Sequence, residues 1–149
     1  MPSLFLPADR EAISARLSRL EPDTPRLWGR MAPGQMLAHC ALGLEAVTGD
    51  RPMKQVWLGR ILTPFIRGLV LGERPWRRNG PTDPSFVVSD PRDLEVERIR
   101  LATLMDRMVR RGPEQAGQMT HAFFGRLSGD EWGRLMYKHL DHHLSQFGL

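Results

Sequence analysis

Residues 131–147 read EWGRLMYKHLDHHLSQF, and three of the chain's five histidines, His139, His142 and His143, fall within five consecutive positions there. At one hundred degrees per residue this stretch is an amphipathic helix. His139 lies near the centre of its apolar face, with Trp132, Leu135, Met136, Leu140, His143, Gln146 and Phe147 around it. Arg134, Lys138, Asp141 and Ser145 take the other side. An unpartnered polar group on a buried stripe costs roughly 1–3 kcal/mol, so these imidazoles need partners. A single metal ion is the simplest group that satisfies two facing rings at once.

His139 and His143 are four residues apart, so their rings project from one helix face at neighbouring heights. Two ring nitrogens can then converge on one ion at about 2.0–2.1 Å. His142, three residues from His139, is the competing partner nearer the edge of the stripe. Gln146 sits one turn beyond His143 and can orient a ring or a bound water. Two histidines do not make a tight site unaided, and His39 and His121 are the only others in the chain. A buried, hydrogen-bonded histidine cluster without a metal is the alternative reading of the same spacing.

The helix carrying these residues opens at Ser128-Gly129-Asp130-Glu131, a capping-box signature. Upstream, a first helix is expected from about Pro7 to Leu20, with Asp9 and Glu11 near its positive end and Glu21-Pro22-Asp23-Thr24-Pro25 closing it. Trp28 and Met31 then read as plugs at the end of a bundle. A second helix begins at Pro33 and runs to about Thr48, with Met36, Cys40, Gly43, Leu44 and Val47 as its stripe. His39 lies at the edge of that stripe with Gln35 one turn away, and Gly43 and Ala46 leave room beside its ring. Met53–Leu71 reads as one helix kinked at Pro64 or as two short ones. Its large apolar groups suggest packing across a bundle mouth or against a second copy of the chain.

Gly72–Pro81 is a loop by composition. Its basic cluster around Trp76 reads as solvated, with contact to nucleic acid or an anionic substrate as the alternative. Phe86-Val87-Val88 is the only plausible strand, and it is too short and isolated to make a sheet. A third long helix starts at Asp90-Pro91, with Asp90 as its N-cap, and stops at Gly112-Pro113. Loop or short helix follows around His121. Four long amphipathic segments without strands predict an all-α helical bundle.

The chain's 149 residues fit a single domain, 1–149, with enough length to bury a core. The net charge is +4, and the positive charges are scattered along the chain, which disfavours nucleic acid as a partner. One cysteine, Cys40, excludes an internal disulfide framework and fits a reducing compartment. The opening MPSLFLPADR has no basic region ahead of its short apolar run, so it does not read as a signal peptide. The longest apolar stretch, Val56–Leu71, is broken by Arg60, Pro64 and Arg67 and falls short of the ~20 residues that a spanning helix needs. The expectation is a soluble cytoplasmic protein with no membrane partner.

The segment HAFFGRLSGDEWGRLMYKHLDHHLSQFG, from His121 to Gly148, resembles the C-terminal signature of the DinB/YfiT-like superfamily, in a branch of unassigned domains with a KHLDHHL-QFG pattern. Trp28-Gly29-Arg30-Met31, Gln35-Met36-Leu37-Ala38-His39 and Arg78-Asn79-Gly80-Pro81-Thr82 extend the resemblance over nearly the whole chain. It implies a four-helix bundle, up-down-down-up, with an extra helical insertion between its second and third helices. It also implies a divalent metal held by His39, His139 and His143; all-imidazole ligation suits zinc, nickel, iron or copper. His142 matches a histidine that is not a ligand, and His121 a position typical of the branch. Some members of the superfamily use the metal to activate a low-molecular-weight thiol in transferase or isomerase reactions, and others resemble metal-dependent hydrolases. The partner implied is therefore a small-molecule substrate, with a homodimer as a further way to cover apolar surface.

Overall fold

The computed structural model describes all 149 residues and is largely helical. Five helices follow in order: α1 (Pro7–Leu17), α2 (Pro33–Thr48), α3 (Trp57–Leu71), α4 (Leu94–Ala116) and α5 (Gly129–Leu144). Two residues each of β1 (Thr120–His121) and β2 (Gly125–Arg126) pair antiparallel between α4 and α5. Single 3₁₀ turns cover Pro84–Phe86 and Ser145–Phe147.

Proline occupies the start of both α1 and α2, where its missing N–H would have no helical partner in any case. The α5 capping box forms as the sequence predicts: Glu131 N–H donates to Ser128 Oγ and Ser128 N–H to Glu131 Oε2. Asp90 is not the cap of α4. Asp93 holds that position and accepts from Val96 N–H, while Asp90 pairs with Arg92. The two aspartates stand three positions apart with Pro91 and Arg92 between them, and composition gives no way to choose. α1 ends at Leu17, with Arg19 and Leu20 continuing in turns.

Phe86-Val87-Val88 is not a strand. Asp83 caps a 3₁₀ turn over Pro84–Phe86 by accepting from Ser85 N–H, and Val87 leads away from it. The β-rich composition of three residues cannot make a ladder when no partner strand lies alongside. α4 is broken at Gly112, whose φ of 78° only glycine adopts freely, and a short turn continues from Pro113 to Ala116.

The core joins α1, α2, α4 and α5 around Trp132, with Ile13, Met36, Leu37, Leu44, Leu101, Met108, Leu140 and Leu144 fully enclosed. α2 packs chiefly on α4, and α5 touches α1, α2, α3 and α4. At the α2–α4 seam Arg100 bridges Glu45 and the buried Glu97. Arg16 of α1 donates to the Asp141 carboxylate and to the Leu149 carbonyl, holding the end of α5 from behind. Thus the polar side of α5 is tied to α1, and its histidine face is turned toward α2.

α3 is a single helix with Pro64 inside it. One side is anchored: Gly59 lies so close to the Phe123 carbonyl that a Cβ would sit 2.2 Å from it, and Arg67 forks onto Glu131. The other side exposes Trp57, Ile61, Phe65 and Leu69. No helix is long and apolar enough to cross a membrane.

Candidate metal centre

α2 presents His39 and α5 presents His139 and His143 to the same point. Their ligand-capable nitrogens all lie within 4.8 Å of one another. His39 Nε2 and His139 Nε2 are 2.9 Å apart, and the three ring centroids are separated by 4.6, 4.7 and 4.9 Å.

The room for this convergence comes from Gly43, one turn after His39. A Cβ there would stand 3.2 Å from His139 Nδ1 and 3.3 Å from Cε1. The space that the sequence assigns to a ligand beside His39 is therefore occupied by the His139 ring itself.

Hydrogen bonds on the far sides of the rings decide their tautomers. His39 Nδ1 lies 2.9 Å from the Phe86 carbonyl oxygen, and His143 Nδ1 lies 3.0 Å from Gln146 Oε1. Both partners are acceptors, so each Nδ1 carries the proton and each Nε2 presents a lone pair inward. That is the arrangement in which a histidine ligates a metal through Nε2, its other nitrogen donating to an oxygen that fixes the ring. The 2.9 Å contact then requires His139 to donate from Nε2 to the bare Nε2 of His39. His139 Nδ1 faces Gly43.

Burial lowers the pKa of all three. For His143 it brings the value to about 3, with the neighbouring His39 adding to the effect. Desolvation and then the adjacent histidines push His139 well below the ordinary value, and His39 is lowered by desolvation against the opposing Phe86 hydrogen bond. All three are neutral imidazoles near pH 7, as a metal ligand must be. Two nitrogens at 2.0–2.1 Å from one ion can be at most about 4.2 Å apart. The cluster is thus within a fraction of an ångström of closing on a divalent ion, and the donor set fits one.

The remaining expected residues fall into two groups. Gln146 is buried and packs with its amide nitrogen beside Gly29, where a Cβ would come within 2.8 Å. Gly29 has φ 87°, so the Leu27–Gly29 turn and the Gln146 amide are built to fit each other. His142 points out of the cluster and stands between Trp28 and Trp76, at 4.8 and 5.4 Å between centroids. His121 and Gln35 do not touch the triad. His121 Nδ1 accepts from Phe123 and Phe124 N–H, closing the β1–β2 turn. Gln35 accepts from Ala32 N–H and donates to the Ser89 and Asp90 carbonyls, tying the start of α2 to the loop before α4.

Phe86 and Trp28 are site residues that the sequence did not single out as such, and Trp76 reads there as the centre of a solvated basic loop, with an anionic substrate as the alternative. The Phe86 contribution is a backbone carbonyl, for which no side-chain signal exists. The tryptophans were visible as unusual loop residues, and only their approach to α5 shows what they cover. Trp76 Nε1 donates to the Val70 carbonyl, and its ring leans on His139 at 6.0 Å.

A largely helical protein that turns three neutral imidazoles from two helices onto one point has a candidate divalent-metal centre. Residues 3–148 match the model of a family described as "Protein of unknown function (DUF1569)", and the chain belongs to that family. No curated protein and no solved structure matches the chain.

Proposed function

We propose that this protein is a metal-dependent enzyme of the DinB/YfiT-like type that activates a thiol or a water molecule for attack on a small electrophile. On this reading α1, α2, α4 and α5 are the four helices of an up-down-down-up bundle, and α3 is the insertion between the second and third. His39, His139 and His143 hold the ion. The observation that carries the reading is the pair of outward hydrogen bonds, His39 to Phe86 and His143 to Gln146, which leave both Nε2 lone pairs directed inward.

Held by neutral ligands, a divalent ion retains its full charge and supplies a Lewis acid that can bring the pKa of water toward ~7 or stabilise a thiolate. The chain's own residues prepare the place. The Phe86 carbonyl and Gln146 orient two rings, and Gly43 admits the third. The Phe86 ring lies against His39 and the Trp76 ring against His139. A thiol used here would come from outside. Cys40 is completely buried, and its thiol pKa is raised by desolvation, so it is no thiolate near pH 7.

The second reading is a histidine cluster without catalysis, joining α2 to α5. It is favoured by the His39–His139 contact, which satisfies two buried nitrogens with no ion at all. Elemental analysis of protein purified without a histidine tag separates the two when combined with a panel of thiol-transfer and hydrolytic substrates. The enzyme reading requires near-stoichiometric divalent metal in the wild type, its loss in His139→Ala and His143→Ala, and turnover that follows the metal. Metal-free wild-type protein that refuses zinc, nickel and iron would sink it.

A further inference from the structure

Three cations lie over aromatic rings in this protein, and each of those rings stands against a histidine of the cluster or its neighbour His142. Arg51 is 5.2 Å from the Phe86 ring, which packs on His39. Lys138 Nζ is 5.6 Å from the Trp76 ring, which packs on His139 and His142. The Arg78 guanidinium is 5.7 Å from the Trp28 ring, which packs on His142. Trp28, His142 and Trp76 thus form one continuous aromatic patch beside the triad, the two indole rings inclined to the His142 ring at 63° and 55°, with positive charge at its margins.

The three cations are not equivalent. Lys138 is spent on the Val70 and Gly72 carbonyls at the end of α3. Arg51 donates to the Ser85 carbonyl. Arg78 is exposed, forms no ion pair and donates no hydrogen bond within the chain, so its whole donor fork is available while the contact with Trp28 keeps the group beside the patch. Of the charged side chains from Arg51 to Thr82, seven are basic and only Glu73 is acidic. Asp141, the carboxylate next to His142, is held by Arg16 on the opposite side of α5.

We propose that this face is the substrate-binding surface of the metal centre and that it selects an oxyanion, a carboxylate or phosphate, carried on an apolar or aromatic body. The body lies on Trp28, His142 and Trp76. The oxyanion is received by Arg78, whose planar fork matches two oxygens at once, as a lysine's point charge does not. The proposal rests on reading the histidine cluster as a binding centre, and it adds the chemical class of what binds there. Arg78 is a specificity residue in it, not a catalytic one.

The test uses zinc-loaded full-length protein and four probes of one shape: benzoate and phenyl phosphate as anions, benzamide and benzyl alcohol as neutral counterparts. Binding is followed by titration calorimetry and by tryptophan fluorescence, so no activity is needed. At least one anion should bind ten-fold or more tighter than its neutral counterpart. Arg78→Gln should remove about ten-fold of that affinity without changing the zinc content, the melting temperature or the weak binding of the neutral probes. Arg78→Lys should restore only part of it, and Trp28→Leu should weaken both anions and neutral probes. Which anion wins distinguishes a carboxylate substrate from a phosphate one.

Equal affinity for anions and neutral probes would overturn the proposal. So would anion binding that depends on zinc but ignores Arg78→Gln, since the ion alone would then be the anchor. Failure of every probe to bind stoichiometrically zinc-loaded wild type overturns it too and leaves the metal centre standing. A protein that takes no zinc but binds benzoate through Arg78 does the reverse.

Discussion

His39 and His139, one hundred residues apart in the chain, place their Nε2 atoms 2.9 Å from each other. Because the Phe86 carbonyl claims the Nδ1 proton of His39, the proton in this contact belongs to His139 Nε2. A divalent ion at the same point needs both Nε2 lone pairs, so His139 must move its proton to Nδ1 when the ion binds. Nitrogen-15 NMR of labelled protein should show His39 and His143 as Nδ1–H tautomers with and without zinc, and His139 changing from Nε2–H to Nδ1–H on zinc addition. An unchanged His139 spectrum at one equivalent of zinc would exclude it as a ligand.

Gly43 separates stability from metal affinity. In Gly43→Ala the added Cβ meets His139 Nδ1 at 3.2 Å and Met136 Sδ at 3.7 Å, pressing on the one ring whose orientation no oxygen acceptor fixes. The same change raises helix propensity by up to ~1 kcal/mol. The expected result is a metal-free melting temperature equal to or above wild type, with zinc affinity about ten-fold lower by competition with a chelator.

Gln146 acts through His143. Gln146→Leu removes the acceptor of a buried Nδ1–H, a loss of about 1–3 kcal/mol, and frees the ring to turn. Groups of this kind typically contribute 10–100-fold to metal affinity, so chelator competition should show a loss in that range. Gln146→Glu keeps an acceptor and should retain more of the affinity than Leu. Gly29→Ala should resemble the Leu variant, because it strains a turn at φ 87° and drives a methyl into the Gln146 amide.

The pH dependence of the fold should carry the mark of His121. Burial lowers its pKa from 6.5 to about 4, and its Nδ1 accepts two backbone N–H groups only while unprotonated. The unfolded chain therefore binds this proton more readily than the folded one, and stability rises with pH between about 4 and 6.5. Above that window the contribution is complete, and it is lost as the pH falls through it. The full shift corresponds to at most about 3 kcal/mol. Asparagine at this position offers an oxygen where Nδ1 stands and does not titrate. Urea unfolding of His121→Asn should show a shallower loss of stability from pH 6.5 to 4 than wild type.

Helix content was legible wherever the apolar period was long and its ends were marked. Pro33–Thr48 and the Ser128 box needed no tertiary information, because a proline at a first turn and a Ser-x-x-Glu cap act through bonds only three residues long. The Asp90 cap failed, and the β1–β2 pair was missed in a stretch that reads as loop or short helix, for the converse reason. Asp90 and Asp93 are locally equivalent, and a strand exists only where a second one lies beside it.

At the candidate centre, the four-residue spacing of His139 and His143 placed two rings on one face before any fold was known, since that spacing is a property of the helix alone. It could not choose among His142, His121 and His39 for a third member, and the choice of His39 came from resemblance. Packing made that choice: α2 crosses α5 with Gly43 at the contact, so His39 is brought in, while His142 is turned outward against Trp28 and Trp76 and His121 is consumed by a turn. The Phe86 carbonyl, the Gln146 amide seated on Gly29 and the open fork of Arg78 belong to the same class of decision. Each depends on atoms brought together across tens of residues by the burial of the core, and local sequence carries no record of that distance.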